Sequence, residues 1–346
     1  FNALTRTKGA EAANYPFCTI DPNVGIVEVP DDRLYKIAQI INPEKIVPAV
    51  CEFVDIAGLV KGAAEGEGLG NKFLANIREC DAILQVVRCF EDTNIHHVTG
   101  KVDPKSDIEI INTELILADL QTMEKAVERL TRESKAGDKK IKANLEFAQQ
   151  IHSWLGEGKI ISEMTIPEDF LPLMKELQLM TKKPFLYAAN VREDEMATAS
   201  ATELHTQLGL PQSAQVVPVS AKIEEDLMDL SEAEAREYLN EMGIKESTLN
   251  QLIRSAYDIL GLQTYFTAGV KEVRAWTIHK GDTAPKAAAV IHTDFEKGFI
   301  RAEIVAYQDF IDCNGESGAR NKGKLRSEGK EYVMKDGDVT HFLFNN

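Results

Sequence analysis

The sequence has no apolar run of the roughly 18 residues that a membrane span requires, so no spanning helix is read from it. It has no CxxC pair and no Cys/His cluster. Its five cysteines, Cys18, Cys51, Cys80, Cys89 and Cys313, are scattered, odd in number and on or near apolar segments. That leaves no disulfide framework or metal knuckle to read and predicts buried free thiols in a reducing, cytoplasmic setting. No charged n-region and apolar h-region open the chain, so no secretory signal is read. The chain begins at Phe1, without a methionine and in mid-motif, and a segment is expected before it. Internal repeats and low-complexity tracts are absent. Positive charge is scarce: 39 Lys and Arg stand against 55 Asp and Glu, a net of −16. That balance argues against a whole-molecule binder of polyanions.

A length of 346 residues with ordinary apolar and charged content predicts two or three globular domains. Up to about residue 111, and again over 182–262, short β-branched runs alternate with helical stretches. Strands are expected at Gly25–Val29, Val50–Val54, Ala82–Val87, Phe185–Ala189 and Gln215–Val219. Several are continuous apolar runs, the mark of strands buried on both faces of a parallel sheet. The expected fold is therefore α/β, doubly wound and mostly parallel. Over 112–181 the pattern changes: Ile116, Leu120, Met123, Val127 and Leu130 repeat at heptad spacing. Lys135–Asp138 breaks that helix, and Ile141, Leu145, Ala148, Ile151 and Leu155 restart the stripe. Narrow stripes with charged flanks favour a helical-hairpin (coiled-coil) arm over two ordinary core-facing helices. From 263 to 346 the chain reads as a small α+β module. Strands are expected at Val270–Ile278, Ala287–Ile291, Ile300–Val305, Tyr332–Val333 and Thr340–Phe344, with one helix near Asp294–Lys297.

The strongest chemical signal is Asp55-Ile56-Ala57-Gly58 at the end of an apolar strand. It is followed by a glycine-rich stretch to Gly70 and a helix over Lys72–Cys80. An Asp at a strand's carboxyl end can hold Mg²⁺ through water, and a glycine N–H can approach a γ-phosphate unhindered. Upstream, Thr19 in Asn14-Tyr15-Pro16-Phe17-Cys18-Thr19-Ile20 offers a hydroxyl for Mg²⁺. After Phe185–Ala189 comes Asn190-Val191-Arg192-Glu193, at the position where GTPases read guanine with N-K-x-D. Here Val191 stands for the lysine and Glu193 for the aspartate, one methylene longer. Ser220-Ala221-Lys222 follows the next strand and reads either as a helix N-cap or as a base-contacting loop.

Together these motifs resemble the Obg branch of P-loop GTPases, D-x-x-G-L-x-x-G-A-x-x-G-x-G-L-G. The N-x-x-E substitution resembles the YchF or Obg-like ATPase family in particular. Gly68–Arg78, Leu262–Gly269 and His292–Ile300 extend the likeness over the whole chain. The resemblance implies a nucleotide-binding domain over 1–111 and 182–262, interrupted by the arm and followed by a TGS module of β-grasp type. It implies ATP in preference to GTP as substrate, Mg²⁺ as cofactor with K⁺ a candidate further ion, and ribosomes or RNA as partners. It places Thr19 and Asp55 on the metal. Gly58, Asn190, Val191, Glu193, Ser220 and Ala221 fall around the nucleotide. Leu59 stands where Ras-like proteins carry a water-orienting Gln, so hydrolysis needs another group. His97 is the candidate, since it matches the family's I-x-H-V, although His96 and His97 also read as ordinary surface residues. The alternative is a nucleotide-gated adaptor with negligible hydrolysis. The family's phosphate loop, G-x-P-N-V-G-K-[ST], directly precedes the stretch matched by Phe1–Thr5. The expectation is that this phosphate-binding part is missing from the chain.

Two local basic groups stand out in so acidic a chain. Lys135, Lys139, Lys140 and Lys142 lie at the hairpin turn, and Arg320, Lys322, Lys324, Arg326 and Lys330 lie in the last module. They read either as phosphate contacts or as solvated faces. Without an RNP motif or an aromatic ladder, no sequence-specific reader is expected.

Overall fold

The computed structural model describes residues 2–6, 24–56, 69–91 and 101–345. It divides into two compact units, Phe1–Phe53 with Leu249–Asn346, and Val54–Thr248. The first unit opens with α1 (Asn2–Arg6), β1 (Val24–Glu28), α2 (Asp32–Ile41) and β2 (Lys45–Val47), then β3 (Val50–Val54), which crosses into the second. The second unit holds α3 (Leu69–Glu79), β4 (Ile83–Arg88), α4 (Pro104–Ser134), α5 (Lys139–Gly156), α6 (Leu171–Leu177) and β5 (Phe185–Asn190). It ends with α7 (Ala201–Leu208), β6 (Gln215–Val219), α8 (Ala221–Leu227), α9 (Glu232–Glu241) and the first residue of α10 (Thr248–Ile259). The first unit resumes with β7 (Leu262–Ala268), β8 (Glu272–His279), α11 (Ala284–Ile291), α12 (Thr293–Lys297) and β9 (Phe299–Val305). It closes with α13 (Tyr307–Asp312), α14 (Glu316–Asn321), β10 (Arg326–Glu328) and β11 (Val339–Phe344).

In the second unit β4, β5 and β6 are parallel, with β5 central. Every β5 residue but Asn190 is buried, as its unbroken apolar run requires of a strand covered on both faces. α4 starts at Pro104, earlier than the stripe suggested. Asp103 caps it by accepting the Ser106 N–H at 3.2 Å, and the proline sits where its missing donor costs nothing. The helix serves two cores. Ile108, Leu115 and Ala118 pack with the sheet residues Val87, Phe185 and Tyr187. Ile116, Met123, Ala126 and Leu130 pack with Phe147, Ala148, Ile151 and Leu155 of α5. The two heptad stripes therefore do face each other across an antiparallel hairpin.

In the first unit the sheet order is β10-β9-β11-β7-β8-β2. The β7–β8 hairpin is antiparallel, and β11 inserts between β7 and β9, parallel to β7. This is the β-grasp arrangement, extended by β2, which pairs in parallel with β8. Arg33 of α2 pairs with Asp336 at 2.7 Å, which with the β2–β8 pairing ties the N-terminal segment to the module, and neighbouring Asp31 holds the same guanidinium at 2.8 Å. These links explain why the units cut the chain differently from the expected three-part plan. The expected strand Ala287–Ile291 is instead helical, in α11. Pro285 in its first turn and the alanine run favour a helix, and Ala284, Ala287 and Ala288 bury one face. Further helices, α13 and α14, were not foreseen.

Candidate functional site

Parallel pairing brings the carboxyl ends of β5 and β6 side by side, with Asn190 level with Val219. Open α/β sheets bind ligands at that edge. The Asn190 side chain crosses the gap, its Oδ1 accepting the Ala221 N–H at 3.1 Å. The Val191 N–H donates to the Val219 carbonyl at 2.9 Å, which locks the two turns together. Val191 itself is buried in the sheet core, so it contributes to the rim only by not being a lysine. Ser220 is buried and caps α8, its Oγ accepting the Ile223 N–H at 3.5 Å. Glu193 is exposed beyond the turn. Lys222 makes a 2.6 Å hydrogen bond to Asp226. Asp226 first, then Glu225 and Glu193, raise the Lys222 pKa, and Asp226 balances its charge locally.

Asp55 follows β3 with its side chain exposed, and among the described residues nothing pairs with it. Among the described strands β3 pairs with β1. Thr19, Gly58, Leu59, His96 and His97 lie outside the described residues, as does the glycine-rich stretch before Leu69. Of the expected set, the structure brings together Asn190, Val191, Ser220 and Ala221, with Glu193 on the same turn.

The two basic groups differ. Arg320 pairs with Glu303 (3.0 Å) and Glu316 (2.9 Å), Lys324 with Asp309 (3.3 Å), and Arg326 with Glu328 (3.2 Å). Of the last module's candidates for RNA contact, Lys322, Lys324 and Arg326, two are thus already neutralised locally. Lys135, Lys139, Lys140 and Lys142 are exposed, and no described carboxylate pairs with them.

Sequence reasoning missed Asp119 and Lys183. The buried Asp119 carboxylate accepts the Met180 N–H (3.0 Å), the Thr181 N–H (2.8 Å) and the Thr181 hydroxyl (2.7 Å). Burial raises its pKa, outweighing the lowering by those donors. Lys183 donates to the Arg78 carbonyl at 2.7 Å and to that of Cys80, at the end of α3. An aspartate three residues after Ile116, inside an apolar stripe, was the readable sign of the first. The second had none. Cys51 and Cys89 are buried thiols, and burial pushes them up to about 11 and about 12. They are too protonated for chemistry. No described helix is long and apolar enough to cross a membrane, and no described cluster of His, Cys, Asp and Glu could hold a metal ion by itself.

Comparison with known proteins covers the whole chain. A model described as a 50S ribosome-binding GTPase matches residues 1–136. The YchF-type GTPase C-terminal model, described as a protein of unknown function, matches 262–345. The chain is 56% identical over 345 residues to the ribosome-binding ATPase YchF of Haemophilus ducreyi, covering 100% of this chain and 95% of that one. It is 54% identical over 348 residues to that of Bacillus subtilis, with the same coverage. The structure of the Schizosaccharomyces pombe YchF GTPase superposes with a TM-score of 0.88 at 38% identity, covering 99% of this chain and 93% of that one. The expected absence of the phosphate-binding part is not borne out, because the nucleotide-domain model is matched from residue 1.

Proposed function

The chain belongs to the YchF family, and from that premise we propose that it is an ATP-preferring nucleotide hydrolase, able to accept GTP, that acts as a conformational switch on the ribosome. The observation that carries the base preference is the Asn190–Ala221 bond. Guanine presents an acceptor, O6, where adenine presents a donor, N6. With the Ala221 N–H engaged by Asn190, the backbone donor that this turn could offer to O6 is already taken. The exposed Glu193 carboxylate adds acceptors, which suit N6.

The Asp55 carboxylate, exposed at a strand end and unpaired among the described residues, has the hard oxygen chemistry that suits Mg²⁺. Asp55 and the Thr19 hydroxyl would hold the ion, which neutralises charge on the β- and γ-phosphates when bound. The Gly58 N–H faces the γ-phosphate in this reading, and His97 positions the attacking water that Leu59 cannot. Ribosome contact is assigned to Lys139, Lys140 and Lys142. Among the described residues they have no carboxylate partner, and they occupy the first turn of α5, where the helix dipole adds to their attraction for phosphate.

Competition binding with ATP and GTP tests the preference, and a tenfold preference for GTP, about 1.4 kcal/mol, overturns it. Steady-state ATP turnover with and without ribosomes tests the switch. Turnover negligible in both would leave a nucleotide-gated adaptor.

A further inference from the structure

A cavity of about 730 Å³ opens between the C-terminal end of α3 and the segment from α6 to Pro184. That volume lies within the range of small-molecule sites. Ala75 and Pro184 give it apolar surface, with Met174 and Leu179 buried beneath. Cations reach it from three directions: Arg78 from α3, Lys175 from α6, and Lys182 and Lys183 from the turn before β5. Two carboxylates, Glu79 and Asp81, also line it, so cations outnumber anions two to one in a chain of net charge −16. Among the described residues Lys175 and Lys182 have no carboxylate partner, and Arg78 makes a 3.4 Å hydrogen bond to Thr122. Gln178, also at the cavity, ends α6 at φ 47°. A glycine would hold that left-handed conformation without strain, but it would take the amide away from the cavity.

We propose that this cavity is a second ligand site, separate from the nucleotide edge, for a phosphate-bearing small molecule with an apolar or aromatic body. The phosphate sits among Arg78, Lys175 and Lys182, and the body lies on Ala75 and Pro184. Occupancy is communicated to α3. Lys183 ties the last carbonyls of that helix to the Met180–Lys182 turn, and Asp119 of α4 grips the same turn from the other side.

The test is calorimetry of inorganic pyrophosphate with the full-length protein. It is run with and without a saturating non-hydrolysable ATP analogue, so that binding at the nucleotide edge is separated. With the analogue present, pyrophosphate is expected to bind one site. The Lys175→Ala/Lys182→Ala variant should weaken that binding by about tenfold or more, and Arg78→Ala should act in the same direction. All three side chains reach solvent, so the fold survives their loss. Lys245→Ala, at an exposed lysine that does not line the cavity, should leave pyrophosphate binding unchanged, and amide exchange in α3 should slow on binding. No binding in the presence of the analogue, or equal binding by wild type and the Lys175/Lys182 variant, overturns the proposal. Failure of the analogue to bind would instead count against the nucleotide reading.

Discussion

At the scale of the residue, the clearest consequences concern Glu193 and Asp119. Glu193→Asp should weaken discrimination in favour of ATP without fully restoring GTP binding, because Val191 still has no ammonium to lay on the base. Competition binding of both nucleotides to the variant checks this. Asp119→Ala leaves two buried N–H groups and a hydroxyl without their acceptor, and should cost about 3 kcal/mol in urea unfolding. The pH dependence has a definite sign. Burial raises the Asp119 pKa in the folded state, so the folded chain binds a proton at pH values where the unfolded chain has lost it. The contribution of this group to stability is then greatest in acid and declines as pH rises past the ordinary aspartate range. The stability advantage of wild type over Asp119→Asn should therefore shrink from about pH 4 to neutrality. An advantage that grows instead would show that the three donors outweigh burial. The residues at the ends of β5 and β6, Asn190, Ser220 and Ala221, were legible because each stands at a fixed offset after an apolar run. What they bond to was not. The Asn190–Ala221 bond joins residues 31 apart and exists only once β5 and β6 are parallel neighbours.

At the scale of the element, the hairpin was legible because both its stripes repeat at a period that helices alone satisfy. Its base was less so, since α4 begins in a different core from the one in which it ends. Ile151, fully buried between α4 and α5, should cost about 2–5 kcal/mol as Ile151→Ala. Thermal or urea unfolding measures this. The first turn of α5 makes a sharper prediction. Three lysines in the first turn of a helix oppose the dipole, and the Asp138 N-cap carboxylate, which accepts the Lys140 and Ile141 N–H groups, relieves them only in part. Replacing Lys139 and Lys140 by Glu should therefore stabilise the protein, by roughly 0.3–1 kcal/mol each. The same change should weaken ribosome co-sedimentation and leave ATP affinity unchanged. If stability and ribosome binding both stay as they were, the lysines are a solvated face. The strand mistaken at Ala287–Ile291 shows where apolar runs mislead. A short buried helix and a short buried strand can be alike in apolar content, and here the proline at the start of the run and its alanines separated them.

At the scale of the molecule, a chain of net charge −16 should approach an RNA-rich particle only through a locally positive surface. Its association with ribosomes should fall steeply as salt rises, because each neutralised phosphate releases counterions. Co-sedimentation across a salt series checks this, and binding indifferent to salt would assign the contact to uncharged surfaces. The order of β11 within the C-terminal sheet and the addition of β2 to its edge could not be read from the sequence. Both depend on pairings between segments far apart in the chain. The long helix α4 has one more consequence, a mechanical one. Its 31 residues make a rod of about 46 Å, fixed at one end in the sheet core and carrying the hairpin turn at the other. Pivoted near Ala118, the remaining 24 Å or so is a lever arm. A tilt of about 10° at the fulcrum, which side-chain repacking at Leu115 can accommodate, sweeps the lysine-bearing tip through about 4 Å, and a load on the tip returns to the fulcrum as torque.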